Sequence, residues 1–264
     1  MRSPLLVSYG GGVNSTAMLV GLSRTAQVDA ILFADTGGER PETYQYVATV
    51  SAWAVANGLP PIQTIRTRVS EAMPYTTLEG ECLTRGQLPS LAYGWHKCAE
   101  KWKVRAQIQF AKNWSVAQEC WKAGGVVRKA VGFHAGETRR VKPHIIDAGY
   151  EKIYPLIEWG WYQEDCLRVI AEAGLPPPSK SACFFCPAST KQQVRELART
   201  APDLFQRALA IEDAALAAGN LKVVKGLGRH WTWREVAAAD EQACAAFRDT
   251  TETPCGCWDG GEDD

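Results

Sequence analysis

Three consecutive glycines, Gly10-Gly11-Gly12, follow the apolar run Leu5 to Tyr9 and precede a helix-compatible stretch opening at Val13. Glycine permits positive φ and close backbone approach. The free N–H groups of a first helical turn, with the helix dipole behind them, make an anion site. Ser8, Ser15 and Thr16 put hydroxyls beside that turn. The ligand such a unit suits is a phosphate. Asp35-Thr36-Gly37 ends a second apolar run, Ala30 to Ala34, on the edge where open α/β sheets bind ligands, and Glu42 falls in the next helical turn. Cys183-Phe184-Phe185-Cys186-Pro187 brings two thiolates to one point, as in metal and cluster knuckles. One pair is incomplete, because zinc and iron–sulfur sites take three or four ligands. Cys98 stands beside Lys101, Lys103 and Arg105, charges that lower a thiol pKa and attract phosphate.

These groups need a scaffold, and the hydrophobic pattern supplies one. Leu5–Tyr9 and Ala30–Ala34 have the character of buried strands, Ile62–Ile65 is a candidate third strand, and Pro41 to Asn57 has the character of an amphipathic helix opened by proline. Strands alternating with helices of about a dozen residues imply a parallel sheet covered on both faces. Residues 66–98 interrupt that rhythm with scattered Pro and Gly, as an insertion acting as a lid or substrate loop would. A helix is expected from Ala99 to about Lys122, then a strand from Val126 to Phe133, a short strand at Ile153-Tyr154-Pro155-Leu156 and a helix from Cys166 to Ala173. The expected division is an α/β nucleotide-binding domain over 1–178, followed over 179–264 by the cysteine knuckle, a helical C-terminal region and an acidic tail.

The 264 residues are 46% hydrophobic and 22% charged, with 29 basic and 29 acidic side chains. A zero net charge argues against tight electrostatic binding of duplex nucleic acid through bulk charge. No apolar run approaches the roughly 20 residues of a bilayer span. Met1-Arg2-Ser3-Pro4 leads straight into the first strand, so the cytoplasm is the expected compartment. There, nine cysteines are not a disulfide framework. Cys82, Cys120, Cys166 and Cys244 suit small core positions. His96, His134, His144 and His230 are scattered and read as structural. Trp159, Trp161, Trp231 and Trp233 suit packing better than base stacking.

The chain lacks a Gly-Lys-Ser/Thr ending and the glycine spacing of a dinucleotide fingerprint. Gly10-Gly11-Gly12-Val13-Asn14-Ser15 resembles instead the Ser-Gly-Gly-x-Asp-Ser loop of the PP-loop ATP pyrophosphatases, with Gly for Ser and Asn for Asp. Asp35-Thr36-Gly37 through Pro41-Glu42-Thr43 narrows the resemblance to the phosphoadenosine-phosphosulfate (PAPS) reductase branch. Gly132-Phe133-His134-Ala135-Gly136-Glu137-Thr138-Arg139-Arg140 and Tyr154-Pro155-Leu156-Ile157-Glu158-Trp159 are similar to two further motifs of that branch, and His96-Lys97-Cys98 to its cysteine turn. The matches span residues 5–190. That branch's arginine after Gly132 is replaced here by Phe133-His134.

The resemblance implies an adenine nucleotide α-hydrolase-like fold of the PP-loop type. It further implies ATP with Mg²⁺ held by Ser8, Gly10, Gly11, Gly12, Asn14, Ser15, Thr16, Asp35, Thr36, Gly132 and Glu137, and substrate adenylation with pyrophosphate release, for sulfur transfer. Asn14, Asp35, Arg139, Arg140 and Cys98 are the implied catalytic set. Cys98, Cys183 and Cys186, with Cys255 or Cys257, would bind a 4Fe–4S cluster; zinc and a redox dithiol are the alternatives. A nucleic acid or small molecule would accept sulfur, a donor protein would deliver it, and a homodimer is compatible with this; no membrane is involved. Two other functions remain open. A PAPS or adenosine-phosphosulfate reductase would use a C-terminal cysteine, but Pro254-Cys255-Gly256-Cys257-Trp258 lacks the family's Glu-Cys-Gly-x-His ending. A non-catalytic nucleotide-binding subunit would explain Asn14.

Overall fold

The structure, a computed structural model, describes residues 2–141 and 149–239. Among them, β1 (Leu5–Tyr9), β2 (Ala30–Ala34), β3 (Ile62–Ile65), β4 (Val127–Val131) and β5 (Tyr150–Ile153) form one parallel sheet in the order β3-β2-β1-β4-β5. The helices are α1 (Val13–Thr25), α2 (Pro41–Ala56), α3 (Leu78–Arg85), α4 (Lys97–Ala99), α5 (Arg105–Lys112) and α6 (Ser115–Lys122), then α7 (Pro155–Glu158), α8 (Gln163–Glu172), α9 (Lys191–Thr200) and α10 (Pro202–Ala217). A π-helical turn, Glu100–Val104, joins α4 to α5, and a 3₁₀ turn, Ala135–Arg140, follows β4.

Alternation along β1 sends Leu5, Val7 and Tyr9 into a core shared with α1, α2 and α8, while Leu6 enters a smaller core with Ala111 of α5 and Ala117 of α6. Both faces are therefore covered, which is why β1 and β2 at the centre are almost continuously apolar, whereas β3, β4 and β5 carry polar residues. The fold is α/β. A third core joins the 66–98 insertion to the C-terminal region: Leu78 and Cys82 of α3 pack with Phe184, Phe185, Val194, Leu197 and Phe205. Among the described residues, no helix is long and apolar enough to cross a membrane.

Several boundaries differ from expectation. The strand expected at Ile153–Leu156 is instead β5 at Tyr150–Ile153, and Pro155 starts α7. Proline has no N–H for a ladder, yet its fixed φ suits a first helical turn. The single helix expected from Ala99 to Lys122 is split by the π turn and by a break at Asn113-Trp114. The insertion is not wholly irregular: Thr77 caps α3 by accepting from the Gly80 N–H at 3.0 Å.

Candidate functional site

In this strand order the chain reverses direction across the sheet between β1 and β4, so the crevice at their C-terminal ends is the switch point where open sheets take ligands. The triglycine turn lies there. Gly11 has φ +75°, the left-handed conformation that glycine alone adopts cheaply, and Gly12 is the N-cap of α1. Gly132, at the end of β4, is pressed against the same helix start: a Cβ on it would stand 3.1 Å from Asn14 C and from Ser15 Cα and N. These backbone atoms cannot swing aside.

The hydroxyls expected to meet phosphate are engaged within the protein. Ser8 Oγ exchanges hydrogen bonds with the Gln107 amide at 2.7–2.9 Å. Ser15 Oγ and Thr16 Oγ1 each donate to Gly12 O at 3.0 Å. Backbone N–H groups of the turn and first helical turn are thus its anion donors. Asn14 Nδ2 donates to Glu137 Oε2 at 2.8 Å, and Arg140 Nη1 donates to Glu137 Oε1 at 2.5 Å. An amide suits that position, because a carboxylate at Asn14 would face Glu137. Arg140 also lies over the Phe133 ring, 4.2 Å from its centre, and Phe133 stacks on Tyr154 at 5.7 Å and 13°. Arg139 is exposed on the same turn.

Asp35, almost fully buried, accepts from Arg66 Nε and Nη2 at 2.8 and 2.6 Å, the Gly37 N–H at 2.7 Å and the Tyr44 hydroxyl at 2.7 Å. Its acceptor capacity is used in fixing the loop after β2, so its role here is to hold that loop rather than to present a free carboxylate. Thr36 Oγ1 sits 3.1 Å from Cys183 Sγ. Glu39 pairs with Cys183 in an antiparallel bridge, and its buried Oε1 accepts from Lys103 Nζ at 3.0 Å while Oε2 has no hydrogen-bond partner. Burial works against the Lys103 ammonium, but Glu39, aided by the nearby thiols, outweighs it and holds the amine above its ordinary range.

The segment around the cysteine knuckle is strapped over these loops. Ser181 Oγ donates to Gly10 O at 2.5 Å, and the Phe184 N–H donates to Gly38 O at 2.8 Å. Burial, then the Glu39 carboxylate, pushes the Cys183 thiol up to about 12. Burial also raises Cys186, with Cys98 as a neighbouring charge, and Cys82, which senses both Cys98 and Cys183. Cys82 was expected only to fill core; it is buried, and it also lines, with Cys98, a cavity of about 770 Å³ between α3 and α4–α5. Cys120 and Cys166 are buried, whereas Cys244, Cys255, Cys257 and His144 lie outside the described residues. Among the described residues no three His, Cys, Asp or Glu side chains are grouped to hold a metal ion. The described thiols are neighbours without forming a complete ligand set.

A cavity of about 500 Å³ opens at this sheet edge, lined by Gly10, Lys103, Lys129, Phe133, Arg140, Lys152 and Tyr154 among others. Lys129 and Lys152 were not singled out in the sequence. A lysine inside Val127-Arg128-Lys129-Ala130-Val131 is the signal that was available. Trp159 and Trp161 pack on each other at 4.8 Å beside the first core, and Trp233 is fully buried, so these three are structural. His134 caps the Ala135–Arg140 turn by accepting from the Gly136 N–H at 3.1 Å.

No family model matches the sequence, and no curated protein matches it. Among solved structures the chain is similar to phosphoadenylyl-sulfate (PAPS) reductase from Candida auris in its phosphate complex, at 20% identity over 69% of this chain and 82% of that one, with a TM-score of 0.47.

Proposed function

We propose that the chain is a PP-loop-type enzyme that binds ATP at the Gly10–Ser15 turn, adenylates a second substrate with release of pyrophosphate, and uses the activated group for sulfur transfer. The observation that carries this reading is Gly10, which opens the glycine turn leading into α1, on the wall of a cavity that also carries Lys103, Lys129, Arg140 and Lys152. Backbone amides bind the phosphates, and the lysines and Arg140 offset charge developing on the leaving pyrophosphate. The Tyr154–Phe133–Arg140 layer offers a surface on which a purine can stack. Mg²⁺ would enter with the triphosphate, because such sites hold the ion largely through substrate oxygens and water.

The sulfur half of the reading is supported by Cys183 and Cys186, whose charges act on Lys103 of the cavity wall, and by Cys98 near Cys186. The proposed cofactor is a 4Fe–4S cluster. Cys98, Cys183 and Cys186 do not form a three-ligand set as they stand and would have to draw together with Cys255 to hold it. Iron and sulfide analysis of anaerobically purified protein tests this. The central experiment is pyrophosphate release from ATP, screened over nucleic acids and small-molecule acceptors. Release that depends on an acceptor and is lost in Gly11→Val is the expected result. Sulfite release from PAPS with thioredoxin would replace this reading by a reductase, and tight nucleotide binding with no turnover under any acceptor would replace it by a binding subunit.

A further inference from the structure

Behind the sheet-edge cavity lies a second chamber of about 390 Å³, on the α5–α6 side of the sheet. The two adjoin, sharing Val104, Gln107, Lys129 and Lys152 as walls. Lys129 of β4 and Lys152 of β5 are register partners, so two amines stand side by side on adjacent strands. Like charges placed so are destabilising unless something else compensates them. No described carboxylate lines either chamber. The charged and titratable groups around Lys129 are Lys152 and Tyr150 from β5, Tyr9 from β1, Lys112 from α5, Lys103 from the π turn and Arg140 beyond β4, together with His96 and Tyr154. Burial, with Lys152 beside it, pushes Lys129 down to about 8. Tyr150, which also lines the chamber, has a buried hydroxyl with no hydrogen-bond partner. Buried polar groups left without partners are uncommon and call for a ligand or water. The rest of the lining is apolar, chiefly Leu6, Val104, Ile108 and the Trp121 ring.

We propose that this chamber binds the oxyanion of a small organic co-substrate, a carboxylate or phosphate ester, on Lys129 and Lys152, with its apolar body against Leu6 and Trp121. Its size falls within the range of small-molecule pockets. The word co-substrate rests on the nucleotide reading above, whereas the binding site itself does not. The anion supplies the missing counter-charge.

Calorimetric titration with phenyl phosphate, benzoate and the neutral benzyl alcohol tests this, with and without a non-hydrolysable ATP analogue. At least one anion is expected to bind, and benzyl alcohol far more weakly. The tighter anion identifies the class. Lys129→Met and Lys152→Met should each weaken it by about tenfold or more, as loss of a charge-assisted bond does. Lys129→Arg should retain most of the affinity. The ammonium form of Lys129 is the binding form, so affinity should fall as pH rises through about 8, and this fall should vanish in Lys129→Met. Gly11→Val should bind the anion as the wild type does, even if the nucleotide reading fails. Equal binding of the neutral compound, no binding of either anion, or unchanged affinity in both methionine variants would overturn the proposal. So would loss of anion binding in a folded Gly11→Val, which would make the lysines part of the nucleotide site alone.

Discussion

At the buried carboxylate of Glu39, three groups meet one oxygen: the Lys103 ammonium at 3.0 Å, the Thr36 hydroxyl at 3.4 Å and the Cys183 thiol at 3.9 Å. The ammonium stabilises the charge, and the charge in turn keeps the thiol protonated. Removing the negative charge should therefore make Cys183 more acidic. In cluster-free protein, Glu39→Gln is expected to raise the rate at which iodoacetamide labels Cys183 at pH 8 to 9, read by mass spectrometry of the labelled peptide. An unchanged rate would mean burial alone sets this thiol. Lys103→Met acts in the opposite sense and also leaves Glu39 buried without its cation. The expected cost is about 3 kcal/mol in urea unfolding, the low end for a broken buried pair, because the Lys103 side chain is 38% exposed and water reaches it. Asp35 holds an equally committed position through Arg66, and that partner is 31 residues away in the chain. Nothing in the local pattern around Asp35-Thr36-Gly37 could reveal that its oxygens were already taken.

The same limit operates between elements. β1 and β2 were legible to the residue, because each is an apolar run with a sharp polar or glycine boundary; β3, with Gln63 and Thr64 exposed, was legible by its place in the alternation of strands and helices. β5 was not, because Tyr150-Glu151-Lys152-Ile153 is a polar edge strand and the more apolar Pro155-Leu156-Ile157 beside it drew the assignment. The break at Asn113-Trp114 carries no Gly or Pro to mark it. The Lys129–Lys152 pair depends on strand register, which a single sequence does not display. The junction of β4 with α1 was legible as a motif but not as a contact. There Gly132→Ala would set a methyl group 3.1 Å from three backbone atoms of Asn14 and Ser15. Overpacking of that kind costs about 1–3 kcal/mol. The expected outcome is a lowered unfolding midpoint together with weakened nucleotide binding, since the atoms displaced are those that start the anion-binding turn. A midpoint that falls while nucleotide affinity stays fixed would separate the junction from the site.

Among the described residues, the core shared by α1, α2 and α8 and the core of the insertion and C-terminal region are tied at the C-terminal edge of the sheet by short polar links. Ser181 reaches Gly10, Phe184 reaches Gly38, and the insertion helix α3 packs on α10 far along the chain. A ligand at that edge touches loops belonging to more than one core, so its binding energy should appear as global stability. A ligand that binds only the folded chain adds about 2.7 kcal/mol at one hundred times its dissociation constant. For a chain of this size that corresponds to an upward shift of about 5–10 °C in the unfolding midpoint. Differential scanning calorimetry with a non-hydrolysable ATP analogue and Mg²⁺ should show a shift of that order in the wild type. In Gly11→Val it should be absent, because a β-branched residue is strained at φ +75° and its Cβ would stand 3.1 Å from Thr43 Cγ2. Lys129→Met should keep most of the shift, since the backbone amides and α1 supply the principal phosphate contacts. A wild-type chain whose midpoint ignores the nucleotide would leave the glycine turn as a structural corner of the sheet. The cationic chamber behind it would then have to be explained by the organic anion alone.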